Sequence, residues 1–294
     1  MKQKIKFDAF PYLMCAPALV LFTLFSILPF LQGLWTSFYN WDGLSDMKWI
    51  GLNNYLFTIQ DKIFWKAISN TAIYALVVTL AKNLLGLFFG YFLAKSFRGR
   101  TLFRTAIYLP VTLSYIVIGI LWSWIYNPTF GILDSLLSAV GAQGLITGWL
   151  SNPDIVLYSI CWIDIWKWTG FHVMLYMAGY QGISRDYYEA AAIDGANAVQ
   201  RFTRITIPML NSTIVVNIML SLTGAFVSNY DIVKIMTDGG PMHASEVSLT
   251  YIVRTAFGFS SMGKANAMSM ILFLMVLVFG FIQLRLMTRD ENYE

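Results

Sequence analysis

Residues 184–208 read SRDYYEAAAIDGANAVQRFTRITIP, a polar stretch between two long apolar ones. Its residues predict two short helices joined by a tight turn. Ser184 suits an N-cap, and Asp186 in the first turn opposes the helix dipole. Ala190, Ala191 and Ala192 are strong helix formers. Gly195 is the natural breaker, because a left-handed residue after a helix costs glycine little. Asn197 can cap a second helix, in which Val199, Phe202 and Ile205 fall at helical spacing on one face. Pro208 fits the first turn of the apolar helix that follows. A polar helix–turn–helix in such a setting has the form of an element gripped by a partner.

The apolar surroundings set the class. The chain has 294 residues, 57% hydrophobic, 16% aromatic and only 12% charged, against about 25% charged in soluble domains. A soluble domain of this length could not hide so much apolar surface. We expect an all-α integral membrane protein, a single domain over 1–294, with six spans at about 10–32, 67–94, 105–125, 155–180, 209–229 and 265–287. Each run has about the 20 residues a helix needs to cross the hydrocarbon core. The first run follows Lys2, Lys4 and Lys6; its length and the lack of a small-residue cleavage site favour a span over a signal peptide. Pro17 and Pro29 are placed to bend it. Residues 33–66, with Trp35, Trp41, Trp49 and Trp65, read as an interfacial connection. Residues 126–153 and 230–264 read as loops.

Charge gives orientation. Of the 20 Lys and Arg, twelve fall on the side of the two termini and six on the other; Lys82 and Lys167 lie inside spans. The richer side is cytoplasmic by the positive-inside rule, so the termini and the 184–208 loop are expected in the cytoplasm. The net charge of +4 comes from basic residues scattered over loops, which excludes a nucleic-acid footprint. Cys15 and Cys161 both lie in apolar segments, so no disulfide is expected. With His172 and His243 the only histidines, no metal site is expected either. Gly258–Lys264 fits G-x-x-x-x-G-K, but Ala265 stands where a phosphate loop needs a hydroxyl for its metal. No nucleotide site is expected in the chain, and no catalytic residues.

Glu189-Ala190-Ala191, then Asp194-Gly195-Ala196, then Ile205, Pro208 and Leu210, resemble the EAA loop in the membrane subunits of ATP-binding-cassette importers. Thr237-Asp238-Gly239-Gly240-Pro241 resembles an element of the sugar-importer branch, and Gly51-Leu52-Asn53-Asn54-Tyr55 is a weaker third match. Together they make the chain resemble the permease of a binding-protein-dependent importer, of the maltose, multiple-sugar and glycerol-phosphate type. The resemblance implies the type I permease fold in a bacterial-type inner membrane. It implies a second permease subunit, two cytoplasmic ATPase subunits that hold ATP and magnesium, and a lipid-anchored or periplasmic binding protein outside. Glu189, Ala190, Ala191, Asp194, Gly195, Ala196, Phe202 and Pro208 would be the ATPase-coupling residues. The cargo would be a carbohydrate, an oligosaccharide before glycerol phosphate. An ion-driven secondary transporter is the alternative class, with one intramembrane Asp in its favour.

Charges inside spans cost about 2.5–3.5 kcal/mol each on insertion scales and mark a pair or a pathway. Asp164 and Lys167, three residues apart, can neutralise each other, serve a substrate, or both. Asp164, Trp168 and Phe171 share one helix face, and a carboxylate beside aromatic rings suits a sugar. On the next span, Asn217, Ser221 and Ser228 form a stripe with Gly224 and Ala225 between them, equally suited to helix packing. With Tyr230 they complete the candidate substrate-binding set, on the two spans that flank the loop. In maltose-type permeases the sugar contacts lie on those spans.

Overall fold

The computed structural model describes residues 10–227 and 229–287, which are largely helical. In chain order they form α1 (Phe10–Phe22), α2 (Leu28–Thr36), a two-stranded hairpin β1 (Tyr39–Asn40) and β2 (Lys48–Trp49), α3 (Asn53–Gln60) and α4 (Lys62–Ala94). Next come α5 (Arg100–Thr112), α6 (Tyr115–Ile125), α7 (Ile132–Ala139), α8 (Val156–Gln181) and α9 (Arg185–Ile193). The last are α10 (Ala198–Arg201), α11 (Ile207–Met209), α12 (Asn211–Val227), α13 (Asn229–Met236), α14 (Ser248–Val253) and α15 (Met262–Met287). The segments expected to be loops at 126–153 and 230–264 thus carry α7, α13 and α14, and the 33–66 connection carries the hairpin and α3. Lys2, Lys4 and Lys6 lie outside the described residues.

Among the described residues, three helices are long and apolar enough to cross a membrane: Leu13–Thr36, Lys62–Ala94 and Met262–Gln283. Two bent pairs qualify if each is one span. Arg100–Thr112 and Tyr115–Ile125 meet at 103°, and Ala198–Met209 and Asn211–Phe226 at 67°. The run at 105–125, expected as one span, is therefore broken in the middle. α8 has the length of a span but carries Asp164, Lys167 and His172, which lower its hydropathy.

The chain divides into two compact units. One runs up to Asp61 and resumes at Ile252. Here α1 passes into α2 through a π turn at Thr23–Ile27, just ahead of Pro29. Proline removes an N–H and its ring crowds the preceding turn, which a wider turn relieves. Asn54 is buried and donates to the carbonyls of Ser37 and Tyr39, each at 2.8 Å, tying α3 to the hairpin. The Gly258–Lys264 stretch is structural in this unit. Lys264 pairs with Asp61 at 2.8 Å, and α15 begins at Met262 with no strand before it.

The other unit runs from Lys62 to Tyr251, with α4 packed along α8 at its centre. Gly86 and Gly90 make the close approach possible. A methyl group at either would come within 3 Å of Tyr176 side-chain atoms of α8. Loop 237–247 folds over the start of α4: Asn70 donates to the carbonyls of Ala244 and Glu246 at 3.1 and 2.9 Å. Gly239 there has φ +81° and abuts the buried Glu246 carboxylate, leaving no room for a side chain. Glu246 accepts from Thr250 and pairs with His243, both at 2.7 Å. The bend between α5 and α6 leaves carbonyls without a helical partner. Lys167 of α8 satisfies two of them, with Nζ 2.6 Å from Leu113 O and 3.2 Å from Val111 O; it also lies 3.4 Å from Pro110 O, which accepts from Leu113 N as well. A cation at a helix C-terminus is favourable, and buried carbonyls in a membrane must find a donor.

This arrangement gives the first prediction. Lys167→Met strips the bend of its donor and should destabilise the protein by about 1–3 kcal/mol. Thermal unfolding of the detergent-purified protein would show a lowered midpoint, with Lys167→Arg losing less; an unchanged midpoint in Lys167→Met would refute this role.

Candidate functional site

Residues 184–208 fold as their chemistry dictates. The Ser184 hydroxyl accepts from Asp186 N at 3.3 Å and starts α9. α9 ends in a Schellman pair: Ala196 N donates to Ala191 O at 2.9 Å, and Gly195 N to Ala192 O at 3.2 Å. Gly195 takes φ +77° with open space where a side chain would project. Asn197 then caps α10 through a reciprocal box with Gln200: Gln200 N to Asn197 Oδ1 at 2.9 Å, Asn197 N to Gln200 Oε1 at 2.8 Å.

The expected single face of Val199, Phe202 and Ile205 does not form. A π turn at Phe202–Thr206, again just ahead of a proline, slips the phase. Val199 is 70% exposed, whereas Phe202 and Ile205 are half-buried. Tyr188 and Thr206 share a hydrogen bond of 2.9 Å across the two arms, and the Phe202 ring lies 6.4 Å from that of Tyr91 on α4. Tyr188 also packs beside Tyr180 and Leu210. Glu189, Ala190, Asp194, Gly195 and Pro208 are exposed; Ala191 and Ala196 are half-buried. Asp194, Gly195, Arg204 and Ile205 help line a hollow of about 340 Å³ on the loop.

The second candidate lies between α4, α8 and α12, in a cavity of about 200 Å³. Asp164, Trp168, Phe171 and Ser221, all expected from sequence, meet there. Lys82, His172, Leu220 and Gly224 complete the wall. The expected pairing of Asp164 with Lys167 is not what forms. Asp164 makes its ion pair with Lys82 of α4, both side chains at most 4% exposed. Lys167 is occupied at the α5 bend. Trp168 Nε1 donates to the Tyr115 hydroxyl at 2.9 Å, and its ring meets Phe171 edge-on at 6.0 Å.

His172 joins a chain of hydrogen bonds in which every polarity can be assigned. Asn217 Nδ2 donates to Thr213 O at 2.8 Å, so Asn217 Oδ1 faces His172 Nδ1, at 2.8 Å, and Nδ1 carries the hydrogen. On the far side, Tyr176 OH donates to Asn83 Oδ1 at 2.7 Å, and Asn83 Nδ2 donates to Ser221 Oγ at 3.1 Å. The Ser221 hydroxyl hydrogen is then free for His172 Nε2, at 3.2 Å. All members are satisfied with a neutral imidazole. Ser221 therefore ties three helices together as well as facing the cavity.

The remaining candidates lie elsewhere. Asn217 is fully buried behind His172, and Ala225 is buried in the apolar core; neither lines the cavity. Tyr230 is half-buried on α13 and does not line it. Ser228 lies outside the described residues. Lys82 stood out in the sequence as an intramembrane charge without a partner. His172, judged only as a metal ligand, was missed, although it sits one turn after Trp168. Among the described residues no group of three His, Cys, Asp or Glu could hold a metal.

Residues 82–289 match the family model of the binding-protein-dependent transport system inner membrane component. The chain belongs to this family. It is 34% identical to a probable ABC transporter permease protein, YurN, of Bacillus subtilis, over 94% of each chain. It is 31% identical to the trehalose/maltose transport system permease protein MalF of Thermococcus litoralis, over 93% of this chain and 92% of that one. A bacterial ABC transporter involved in import of the acidic polysaccharide alginate has the same fold, with TM-score 0.84 at 24% identity and 98% coverage of both chains. As a member of this family of inner-membrane components, the chain is a multi-pass transport subunit.

The hydrogen-bond chain sets the second prediction. Ser221→Ala removes the acceptor of Asn83 and the donor to His172, and should cost about 1–3 kcal/mol. Thermal unfolding in detergent would report it, with Ser221→Thr losing less; an unshifted midpoint would show that Ser221 is not a tie.

Proposed function

We propose that this chain is one of two permease subunits of an ATP-driven carbohydrate importer, and that the α4–α8–α12 cavity is its share of the sugar path. The observation that carries the reading is the cavity wall. A carboxylate, an ammonium, an imidazole and a hydroxyl share it with two aromatic rings. Sugar hydroxyls need such polar partners, and the C–H face of a sugar ring stacks on an aromatic. The Thermococcus litoralis relative, a trehalose/maltose transport system permease, supports the same substrate class, an oligosaccharide.

On this reading the spans are α1–α2, α4, α5–α6, α8, α10–α12 and α15, six in one domain. With 26 residues, α8 is about 39 Å long against a hydrocarbon core of about 30 Å. Both termini and the 184–208 loop face the cytoplasm, in keeping with the Lys and Arg count. The loop then docks on ATPase subunits, which hold ATP and magnesium. Its exposed Glu189 and the hollow around Gly195 are the contacts offered. A lipid-anchored or periplasmic binding protein delivers the sugar on the other side. ATPase closure moves the loop as one piece with the α4 and α8 ends it packs on, and the cavity changes the side it faces. No bond of the cargo is made or broken in this chain.

Three outcomes test the parts separately. Cysteine placed at Arg98 should react with an impermeant thiol reagent only from the cytoplasmic side, and at Gly144 only from outside; the reverse would invert the topology. Gly195→Val forces a left-handed residue with a branched side chain, at about 1–2 kcal/mol of backbone strain. It should leave the spans folded and abolish co-purification of the ATPase subunits, or sugar-stimulated ATP hydrolysis. Retained transport would show that the loop is not the docking element. Trp168→Ala should cut sugar uptake about ten- to hundred-fold, with assembly and basal ATP hydrolysis unchanged; normal uptake would move the sugar site elsewhere.

A further inference from the structure

The cavity wall contains two full charges of opposite sign in contact, Lys82 and Asp164, on facing helices. Every other lining side chain is uncharged. His172 is neutral in the hydrogen-bond chain that satisfies it, and Trp168, Phe171, Leu220 and Ser221 carry no charge. The remaining nearby cation, Lys167, is turned away to the carbonyls that end α5. Those carbonyls carry the negative end of the helix dipole. The wall is therefore charge-compensated, and each charge is neutralised by a different element. In a medium of low effective dielectric an uncompensated charge of either sign would dominate the potential of so small a space.

Resting on the sugar-path reading above, we infer that the Lys82–Asp164 pair is a specificity determinant. It makes the cavity selective for uncharged saccharides over anionic ones, and Asp164 is the residue that holds the ammonium back from an anionic cargo. Asp164 does this by position and charge: it takes the place that a uronate carboxylate or a phosphate would otherwise fill at Lys82 Nζ. The wall keeps a cation fit for an acidic cargo and occupies it with a built-in anion. One substitution would convert it.

The test uses the whole complex, both permease subunits with the ATPases, purified in detergent. Cys15 and Cys161 are replaced by alanine and a single cysteine is placed at Gly224, where a side chain would meet open space. Its reaction rate with an anionic reagent, sulfonatoethyl methanethiosulfonate, is compared with that of a cationic one, trimethylammonioethyl methanethiosulfonate. After correction for their rates with a free thiol, the two should differ less than threefold. Asp164→Asn should raise the anionic-to-cationic ratio at least tenfold. Lys82→Met should lower it as much, and the double variant should restore it. Maltotriose should protect the cysteine at a concentration at least tenfold below that of trigalacturonate, and Asp164→Asn should narrow or reverse that margin. If Asp164→Asn does not assemble, Lys82→Met and the double variant carry the same comparison. A ratio unmoved by these substitutions, or equal protection by the two oligosaccharides, overturns the inference while the site stands. Protection by neither, together with normal uptake in Trp168→Ala, overturns the site itself and the inference with it.

Discussion

An ion pair sealed between two helices organises the unit from Lys62 to Tyr251. Lys82 and Asp164 face each other across the seam of α4 and α8, almost wholly shielded from solvent. Neither charge is tolerable there alone, since removing one partner of a buried pair typically costs about 3–5 kcal/mol. Their meeting therefore fixes the register of one helix along the other. Gly86 and Gly90, one and two turns farther along α4, then allow Tyr176 of α8 to lie directly on the backbone. From that seam the rest of the second unit is hung. Asn83 reaches Ser221 on α12, His172 reaches Asn217 on α12, and Lys167 holds the bend of α5.

Much of the fold was legible, because hydrophobic run length and capping chemistry are local. The two arms at 184–208, the left-handed Gly195 and the caps at Ser184 and Asn197 stand where the residues put them. What was not legible is what depends on distant partners. The break after Thr112 leaves the carbonyls of Val111 and Leu113 to Lys167, more than fifty residues on. The local sign of a break in the run 105–125 is Pro110, but nothing in the run shows that the donor for the freed carbonyls lies on another helix. The helices at 229–236 and 248–253 were hidden by the turn formers between them, Asp238 to Pro241, which read as a loop throughout.

The candidate cavity was half legible for the same reason. Helical periodicity puts Asp164, Trp168 and Phe171 on one face, and the structure brings them to one wall with Ser221. Sequence spacing also offered Lys167 as the mate of Asp164, because three residues is a helical neighbour distance. The side chain three positions away had other work, and the mate came from a helix some eighty residues earlier. Spacing along a helix shows which residues share a face, not which of two cations wins a carboxylate. Asn217 and Ala225 illustrate the converse: both fall on the small, polar stripe of α12, but one serves His172 and the other the apolar core.

The π turn at Phe202–Thr206 has a consequence for how the loop is aimed. A helix advances about 100° per residue, and a π turn holds one residue more than an α turn. The arm before it is therefore rotated about 100° around the helix axis from where an uninterrupted helix leading into α11 would carry it. The heading of Val199 and Gln200 is thus written in a residue count just ahead of Pro208, and not in any particular side chain. A lineage that lost one residue from 202–206 could keep every cap, the left-handed glycine and the whole of α12, and still turn a different face of the loop towards its neighbour. Length variation at this point would act like a dial on orientation, while substitution acts on the strength of contact.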